Sequence, residues 1–303
     1  MKYRGRFAPS PTGPLHFGSL VAALASWLDA RAQGGQWLLR IEDVDAPRTV
    51  PGAAEDIVRT LESLGLHWDG EISWQGRNRE RYEAALERLR SLGLVYRCRC
   101  SRKEVADSGL RGIEGAIYPG TCRTLGLGAE IAGADRFVAS GQGVRFADRV
   151  QGTIEQDAAT AVGDFVLKRR DGLHAYQLAV VVDDAHDQVT DVVRGADLLL
   201  STPRQILLQR ALGLPTPRYF HVPIATNAQG EKLSKQTRAA PVDATHPEVA
   251  LREALEFLGQ PKPETGGYRE ILAQAVRRWD PARVPRGIAR PVGKDEAGAD
   301  RGV

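Results

Sequence analysis

Three prolines within six residues interrupt this chain almost at its start. The run from Pro9 to Pro14 reads Pro-Ser-Pro-Thr-Gly-Pro, and because proline fixes φ and has no N–H, it is neither a helix nor a central strand. The residues before it, Tyr3 to Ala8, form a short β-like run. After it, apolar residues recur at helical spacing from Leu20 to Leu28, until Gly34-Gly35 ends the pattern. The sequence predicts a strand, a rigid loop and a helix.

A second strand completes a recognisable unit. Trp37 to Ile41 is β-like and is followed by the acidic group Glu42-Asp43-Val44-Asp45. A strand, a helix and a second strand in this order are typical of parallel sheets. With 303 residues and 42% apolar residues, the chain is long enough for a large buried core, and its composition excludes disordered, collagenous and coiled-coil classes. We therefore expect an α/β fold with a nucleotide-binding core.

The rest of the chain continues the mixed pattern. Apolar spacing and Gly/Pro punctuation predict helices over Pro51 to Gly65, Asn78 to Gly93, Pro203 to Leu212 and Glu248 to Leu258, and strands over Val189 to Val193 and Phe220 to Ala225. Phe165 to Lys168 and Tyr176 to Asp184 flank the turn signal Asp171-Gly172, which predicts a hairpin. The helix ending at Leu258 is expected to be the last, and because prolines and glycines multiply beyond Gln260, most of the last thirty residues are expected to be loosely held.

Two separated segments indicate phosphate chemistry. In the first, the proline-stiffened loop presents His16 and the pair Gly18-Ser19 at a helix N-terminus, where backbone N–H groups and the helix dipole attract phosphate. In the second, Lys232 and Lys235 are three residues apart on a loop, where they can add positive charge during an in-line displacement. Together they predict a site for ATP or an adenylate.

The cysteines indicate a metal site. Cys98 and Cys100 are separated by one residue, and Cys122 makes the total odd, which suits a metal site in a reducing cytoplasm better than a disulfide framework. Thiolates at close spacing favour Zn²⁺, and the residues alone leave the fourth ligand open. His67 and His174 are expected to be structural or surface histidines rather than ligands.

Net charge and hydropathy limit the classes of protein to which the chain could belong. The net charge is only +3, so composition alone does not announce a nucleic-acid binder. The N-terminus has no apolar stretch behind its charges, and the apolar run after Leu20 soon meets Asp29 and Arg31. We expect no exported or membrane-spanning segment and a cytoplasmic protein.

Four ordered blocks then resemble one family. His16-Phe-Gly-Ser19 and Lys232-Leu-Ser-Lys-Gln236 resemble the HIGH and KMSKS signatures of class I aminoacyl-tRNA synthetases. The blocks Arg6-Phe-Ala-Pro-Ser-Pro-Thr-Gly13 and Arg40-Ile-Glu-Asp-Val-Asp45 narrow the resemblance to the glutamyl branch. It covers about residues 3–258.

The resemblance implies a fold and a division of the chain. Only 67 residues follow Gln236 (303 − 236), and with the small cysteine insertion this is similar to the short paralogues that attach glutamate to queuosine in tRNA(Asp). It implies a Rossmann-like catalytic core with a zinc-bearing insertion and no anticodon-binding domain. The expected units are two halves of the core at 1–95 and 146–240, the insertion at 96–145, a helical end at 241–259 and a basic, partly disordered tail at 260–303.

The same resemblance implies roles for individual residues. The implied catalytic residues are His16, Ser19, Lys232 and Lys235, and ATP would contact His16, Gly18, Ser19 and Lys235. The glutamate pocket would contain Arg6, Ser10, Glu42, Tyr176 and Arg194, with Glu42 the partner of the ammonium group and Arg6 or Arg194 that of the side-chain carboxylate; which arginine meets which carboxylate stays open. One structural zinc ion would be held by Cys98, Cys100, Tyr118 and Cys122.

The implied activity is ATP-dependent formation of glutamyl-adenylate, followed by transfer of glutamate to the cyclopentenediol of queuosine. The expected partners are ATP with Mg²⁺, L-glutamate and queuosine-containing tRNA(Asp), and a monomer is expected. Two alternatives remain at this point. One is a minimal glutamyl-tRNA synthetase acting on a tRNA 3′ end, and the other is a non-catalytic module that binds glutamate and ATP.

Overall fold

The computed structural model describes residues 2–112, 115–139, 141, 143–227, 229–233 and 240–292. Within these ranges, the α-helices are α1 (Phe17–Ala32), α2 (Ala53–Ser63), α3 (Arg79–Ser91), α4 (Arg102–Asp107), α5 (Ala158–Ala161), α6 (Tyr176–His186), α7 (Thr202–Leu212), α8 (Pro247–Phe257) and α9 (Tyr268–Arg278). None of the helices in this part of the chain combines the length and the apolar character needed to cross a membrane.

The strands over the same ranges are short. They are β1 (Arg4–Phe7), β2 (Gln36–Ile41), β3 (Ser73–Trp74), β4 (Val95–Cys98), β5 (Arg111–Gly112), β6 (Gly115–Ala116), β7 (Ala134–Phe137), β8 (Gly143–Asp148), β9 (Gly152–Asp157), β10 (Phe165–Lys168), β11 (Asp191–Gly195), β12 (Arg218–Val222), β13 (Ile224–Thr226) and β14 (Ala289–Pro291).

Parallel strands form the centre of the molecule. β1 pairs with β2, β2 with β3, and β11 with β12, all in parallel. The backbone N–H of Thr190 donates to the carbonyl of Arg4 at 2.9 Å, which joins β1 to the start of β11. The predicted strand, loop, helix and strand are confirmed as β1, α1 and β2, and so is the α/β fold. Parallel strands place their carboxyl ends at one edge, where ligands of such sheets bind.

Helix α1 lies in the first of two buried apolar clusters. Leu20, Leu24 and Leu28 are fully buried, as the helical spacing predicts, and they pack in one apolar cluster with Trp37 of β2 and Leu251 of α8. A second cluster surrounds α3, α6 and α7. Because both clusters flank the parallel strands, the sheet is covered by helices on its faces, as parallel sheets require.

The predicted hairpin is wrong in its second arm. The Asp171-Gly172 turn is confirmed, since Gly172 has φ +85° and Arg169 N–H donates to the Leu173 carbonyl at 2.8 Å. Residues Tyr176 to His186, however, form helix α6 rather than a strand. The run Leu178–Val182 is buried at every position within the second cluster, and a segment that is apolar all round fits a buried helix as well as a strand.

The expectation that the chain has no helix after Leu258 is also wrong. Helix α9 buries Ile271 and Leu272 in the first cluster. The Trp279 indole N–H donates to Asp29 of α1 at 3.1 Å, and β14 pairs in parallel with β13. Prolines and glycines on both sides of α9 conceal an amphipathic helix of three turns, so residues 260–292 are folded against the core.

Candidate functional site

A cavity of about 810 Å³ opens at the carboxyl edge of the parallel strands. It collects residues far apart in the chain, because β1, β2 and β11 end beside it and β13 begins there. Nine of the residues that the sequence assigns to substrates line it: Arg6, Ser10, His16, Gly18, Ser19, Glu42, Tyr176, Arg194 and Lys232. Lys235 lies outside the described residues.

One wall of the cavity is the N-terminus of α1. His16 is the N-cap residue, with φ −106°, and its ring nitrogen Nδ1 accepts the backbone N–H of Ser19 at 3.3 Å. A Cβ atom on Gly18 would lie 3.3 Å from the His16 ring and 3.6 Å from the Leu233 carbonyl. Glycine therefore lets the helix start, the histidine and the lysine segment meet closely. Free N–H groups at such a terminus favour an anion.

The opposite part of the cavity is built from buried charges. Arg6 is 3% exposed, and its Nε and Nη2 donate to the two oxygens of Asp184 at 3.1 and 3.3 Å. Arg40 donates to the same carboxylate at 2.5 Å. Asp184 thus holds two arginines, and Arg6 keeps Nη1 as its remaining donor group.

Glu42 is a buried acid of the cavity, and one of its oxygens has no hydrogen-bond partner. Its Oε1 is buried and unpartnered, and the nearest cation is the Arg40 guanidinium at 3.9 Å. Burial raises the pKa of the Glu42 carboxyl to about 7, against the opposing effect of Arg40 and Arg6. A buried acceptor of this kind is costly unless a donor reaches it. A cationic donor beside Glu42 would satisfy this oxygen.

Arg194 is the most heavily hydrogen-bonded side chain of the site. It ends β11 with 5% exposure, and its Nη1 donates to the Tyr176 hydroxyl at 3.2 Å. Nη2 donates to Thr202 Oγ1 at 2.9 Å and to Gln205 Oε1 at 2.8 Å. These bonds fix the plane of the guanidinium, which suits it to recognise a carboxylate.

Lys232 lies in a hairpin at the rim. It forms an antiparallel bridge with Thr226, and the N–H of Leu233 donates to the Ala225 carbonyl at 2.8 Å. Its ammonium is 2.5 Å from Asp197 Oδ2, and both side chains are well exposed. Lys232 thus lines the same cavity as His16 and Gly18 at the start of α1, and its long side chain is exposed rather than buried.

Sequence reasoning did not assign roles to Asp184, Asp148 or His221. Asp183 and Asp184 interrupt an apolar run, and an acidic pair in such a run is a signal of buried charge. His221 lies within the apolar strand β12, where a lone histidine gives no signal. These three residues hold the predicted ligand-binding side chains from behind.

A separate cluster brings the three cysteines together. The Sγ atoms of Cys98, Cys100 and Cys122 lie within 4.8 Å of one another, with Cys100 and Cys122 3.5 Å apart. The hydroxyl of Tyr118 is 3.6 Å from Cys100 Sγ and accepts the Cys122 N–H at 2.8 Å. Thiolates bound to one tetrahedral zinc ion lie roughly 3.8 Å apart. The donor set and its spacing therefore fit zinc.

The pKa shifts within this cluster differ between its thiols. Burial raises the pKa of Cys100 to about 11. At Cys122, burial is outweighed by hydrogen bonds from Tyr118 and from the Arg99 backbone, which lower the pKa to about 7. A cation among these atoms would favour the thiolate form of both.

The comparisons with known proteins agree with this geometry. The family model for the catalytic domain of class I tRNA synthetases (E and Q) matches residues 2–123 and 133–261. A protein of Aromatoleum aromaticum named glutamyl-Q tRNA(Asp) synthetase is 58% identical over 287 residues, which cover 94% of this chain and 91% of that protein. A protein of the same name from Burkholderia mallei is 62% identical over 288 residues, covering 92% and 96%.

A solved structure has the same fold. It is the glutamate-tRNA synthetase of Elizabethkingia anophelis, which superposes with a TM-score of 0.81 at 26% identity. The superposition covers 96% of this chain and 68% of that one. The likeness therefore extends over almost all of this chain.

Proposed function

The chain belongs to the glutamate and glutamine branch of class I tRNA synthetases, and within it to the glutamyl-Q tRNA(Asp) synthetases, and we propose that it activates L-glutamate with ATP and transfers it to queuosine in tRNA(Asp). The names of its relatives support this acceptor. The observation that carries the proposal is the charge pattern of the cavity. Glutamate has two carboxylates and one ammonium group, and the buried residues offer two arginines and one unpartnered carboxylate.

The ammonium group and the side-chain carboxylate of glutamate each have a partner of opposite charge in the cavity. The ammonium group meets Glu42 Oε1, which has no hydrogen-bond partner of its own. The side-chain carboxylate meets Arg194 and the Tyr176 hydroxyl, which accepts from Arg194 and keeps its own proton to donate. Arg6 supplies a second cation from β1, and Ser10 lines the loop above it. The α-carboxylate is then left to react at the α1 terminus.

The first step forms the adenylate. An oxygen of the α-carboxylate attacks the α-phosphorus of ATP, and the bond to the bridging oxygen breaks, so that pyrophosphate leaves. His16, Gly18 and Ser19 bind phosphate at the helix terminus, and Lys232 and Lys235 add positive charge where it develops. Mg²⁺ bound with ATP neutralises further charge. Positioning and electrostatics suffice, and no side-chain nucleophile is needed.

The second step transfers the glutamyl group. A hydroxyl of the cyclopentenediol attacks the activated carbonyl, the bond from carbonyl carbon to the AMP phosphate oxygen breaks, and AMP leaves while the hydroxyl proton passes to solvent. An ester on the modified base results. The chain's part in this step is to hold the adenylate with its carbonyl facing the cavity mouth.

We also propose that Cys98, Cys100, Cys122 and Tyr118 hold one structural zinc ion. Its role would be to fix the segment between β4 and β7, which has few buried apolar side chains of its own. Elemental analysis of the purified protein should find about one zinc per chain, and Cys122→Ser should lose it, while the neighbouring Thr121→Ser should not. Zinc content unchanged in Cys122→Ser would refute this assignment.

The enzymatic proposal is tested in two stages. Glutamate-dependent exchange of pyrophosphate into ATP is measured first, without tRNA. Labelled glutamate is then offered with queuosine-containing and queuosine-free tRNA(Asp), each also prepared without its 3′-terminal adenosine. We expect exchange, and transfer only to queuosine-containing tRNA whether or not the terminal adenosine is present.

Each other outcome identifies a different function. Transfer that needs the terminal adenosine would indicate a minimal glutamyl-tRNA synthetase. Glutamate binding without exchange would indicate a non-catalytic module. Absence of both binding and exchange would refute the proposal as a whole.

A further inference from the structure

Behind Arg194 lies a buried pair, Asp148 at the end of β8 and His221 in β12. Both side chains are fully buried, and His221 Nδ1 is 2.6 Å from Asp148 Oδ2. The other ring nitrogen, Nε2, is 3.0 Å from Arg194 Nε. The three side chains therefore form one chain of contacts from β8 through the imidazole to the cavity.

The chemistry of the neighbours fixes the tautomer of the imidazole. Arg194 Nε carries a proton and no lone pair, so Nε2 must be the acceptor there. Nδ1 then carries the proton and donates to Asp148. Asp148 is itself oriented by the backbone N–H groups of Val150 and Gln151, which donate to Oδ1 at 3.0 and 2.8 Å.

The electrostatics agree with a neutral ring. Burial lowers the pKa of His221 to about 4, with Arg194 acting in the same direction and Asp148 opposing it. Near neutral pH the imidazole is therefore uncharged. It can accept from Arg194 without repelling the guanidinium.

The N–H donors of Arg194 and their partners show what the contact with His221 does. Nε of Arg194 is taken by His221, and Nη2 by Thr202 and Gln205, so Nη1 is the edge left for the cavity, beside the Tyr176 hydroxyl. If Nε of Arg194 had no acceptor, the guanidinium could rotate and present a pair of N–H groups other than those of Nη1 to the ligand. The contact at Nε thus selects which donors face the substrate.

We propose that Asp148 and His221 are positioning residues which, by holding Nε of Arg194 through one imidazole tautomer, direct Nη1 and the Tyr176 hydroxyl onto the side-chain carboxylate of glutamate. The inference rests on the proposed function, because it concerns how that amino acid is recognised. It assigns selectivity for glutamate to residues that do not touch the substrate.

The test compares substitutions that separate the contact of His221 with Asp148 from its contact with Arg194. His221→Gln places an oxygen near the position of Nε2 and so keeps an acceptor for Arg194, whereas His221→Asn keeps a donor for Asp148 but does not reach Arg194. Asp148→Asn keeps its oxygen for the backbone amides and turns its NH₂ toward Nδ1, so the imidazole must shift its proton to Nε2. In that arrangement the Nε2–H of His221 faces the Nε–H of Arg194, and the contact has two donors and no acceptor.

Glutamate affinity is measured by calorimetry, and kcat and KM by pyrophosphate exchange. We expect Asp148→Asn and His221→Asn to raise the Kd and KM for glutamate roughly 10- to 100-fold, as expected for losing a bond to a charged group. Their kcat should change less than about threefold, because the phosphate end is untouched. His221→Gln should restore the Kd to within about threefold of the native value.

Several results would overturn the inference. It fails if Asp148→Asn and His221→Asn bind glutamate as the native protein does, or if His221→Gln loses as much affinity as His221→Asn. Should the weaker variants not fold, ¹⁵N NMR of the native His221 ring still decides, because a proton on Nε2 contradicts the proposal. A native protein that binds no glutamate at all would instead refute the proposed function.

Discussion

The two ends of the cavity are built in different ways. At the end proposed to bind glutamate, here called the amino-acid end, Arg6, Glu42 and Arg194 are all less than 10% exposed and lie at the ends of parallel strands. At the end proposed to bind ATP, here called the nucleotide end, Lys232 is 43% exposed in its side chain and lies in a hairpin, paired with Asp197. One end is assembled before any ligand arrives, and the other presents long side chains to solvent.

Under the proposed function, this difference would separate selectivity from catalysis. Groups fixed by a packed second layer bind one charge pattern and reject others, because a misfit leaves buried polar atoms unpaired. Groups on a hairpin can follow a polyphosphate as its geometry changes. We expect substitutions at the two ends to affect different quantities, and the predictions below are arranged by their effect on glutamate affinity.

The largest effect is expected at Asp184. Asp184→Ala removes the shared partner of Arg6 and Arg40, and breaking a buried pair costs roughly 3–5 kcal/mol of unfolding free energy. Glutamate binding should fall below detection. Urea unfolding measures the loss, with Asp56→Ala as control, since its exposed pair with Arg59 is worth at most about 1 kcal/mol. Equal stabilities of the two variants would contradict a rigid amino-acid end.

A smaller effect is expected at Arg194. Arg194→Lys keeps the charge but loses the planar donor set, so the Kd for glutamate should rise roughly 10- to 50-fold. The exposed Arg210 on α7 provides the matched control, Arg210→Lys, which should bind normally. Calorimetry measures both. An unchanged Kd in Arg194→Lys would show that charge alone, without orientation, recognises the substrate.

The pH dependence comes next. Burial raises the pKa of Glu42 to about 7, so below that pH the carboxyl becomes protonated and no longer attracts the ammonium group. The Kd for glutamate should therefore rise roughly tenfold from pH 8 to pH 6, and Glu42→Gln should bind weakly with no such dependence. A flat profile in the native protein would mean that Glu42 does not face the ammonium.

The smallest effect on affinity is expected at the other end. Lys232→Ala should leave the Kd for glutamate within about twofold, yet slow adenylate formation roughly 100-fold, as for loss of one preorganised charge. The same split is expected for Lys235→Ala. Lys262→Ala is the control, because its ammonium is exposed and 3.5 Å from Glu256, outside the cavity. Equal losses of affinity and rate would erase the distinction between the two ends.

The sequence predicts an element best when the residues that determine it are close together in the chain. The prolines of the loop after β1, the glycines after α1 and the Cys98/Cys100 spacing act over a few residues, so the first strand, loop and helix and the cysteine cluster follow from them. Helix α6 was predicted as a strand because Val180, Val181 and Val182 favour strands, whereas burial against α3 and α7 decides the outcome.

The supporting layer of the site is hidden for a related reason. The roles of Asp184, His221 and Asp148 depend on which strands end side by side, and no spacing along the chain encodes that. Motifs indicate the ligand-facing residues, but the partner of Arg194 lies 27 positions away in sequence and that of Arg6 lies 178 positions away. Only the fold brings them together.

The strand pairing of β13 with β14 also bears on solubility. β13 leads directly into the hairpin of Lys232, and its outer edge is covered by residues 289–291, with Val292 N–H donating to the Thr226 carbonyl at 2.9 Å. An uncovered strand edge is a template for pairing with foreign chains. Residues 289–291 thus cover one edge of the apolar strand Ile224–Thr226, and shortening the chain before Ala289 would expose that edge beside Lys232.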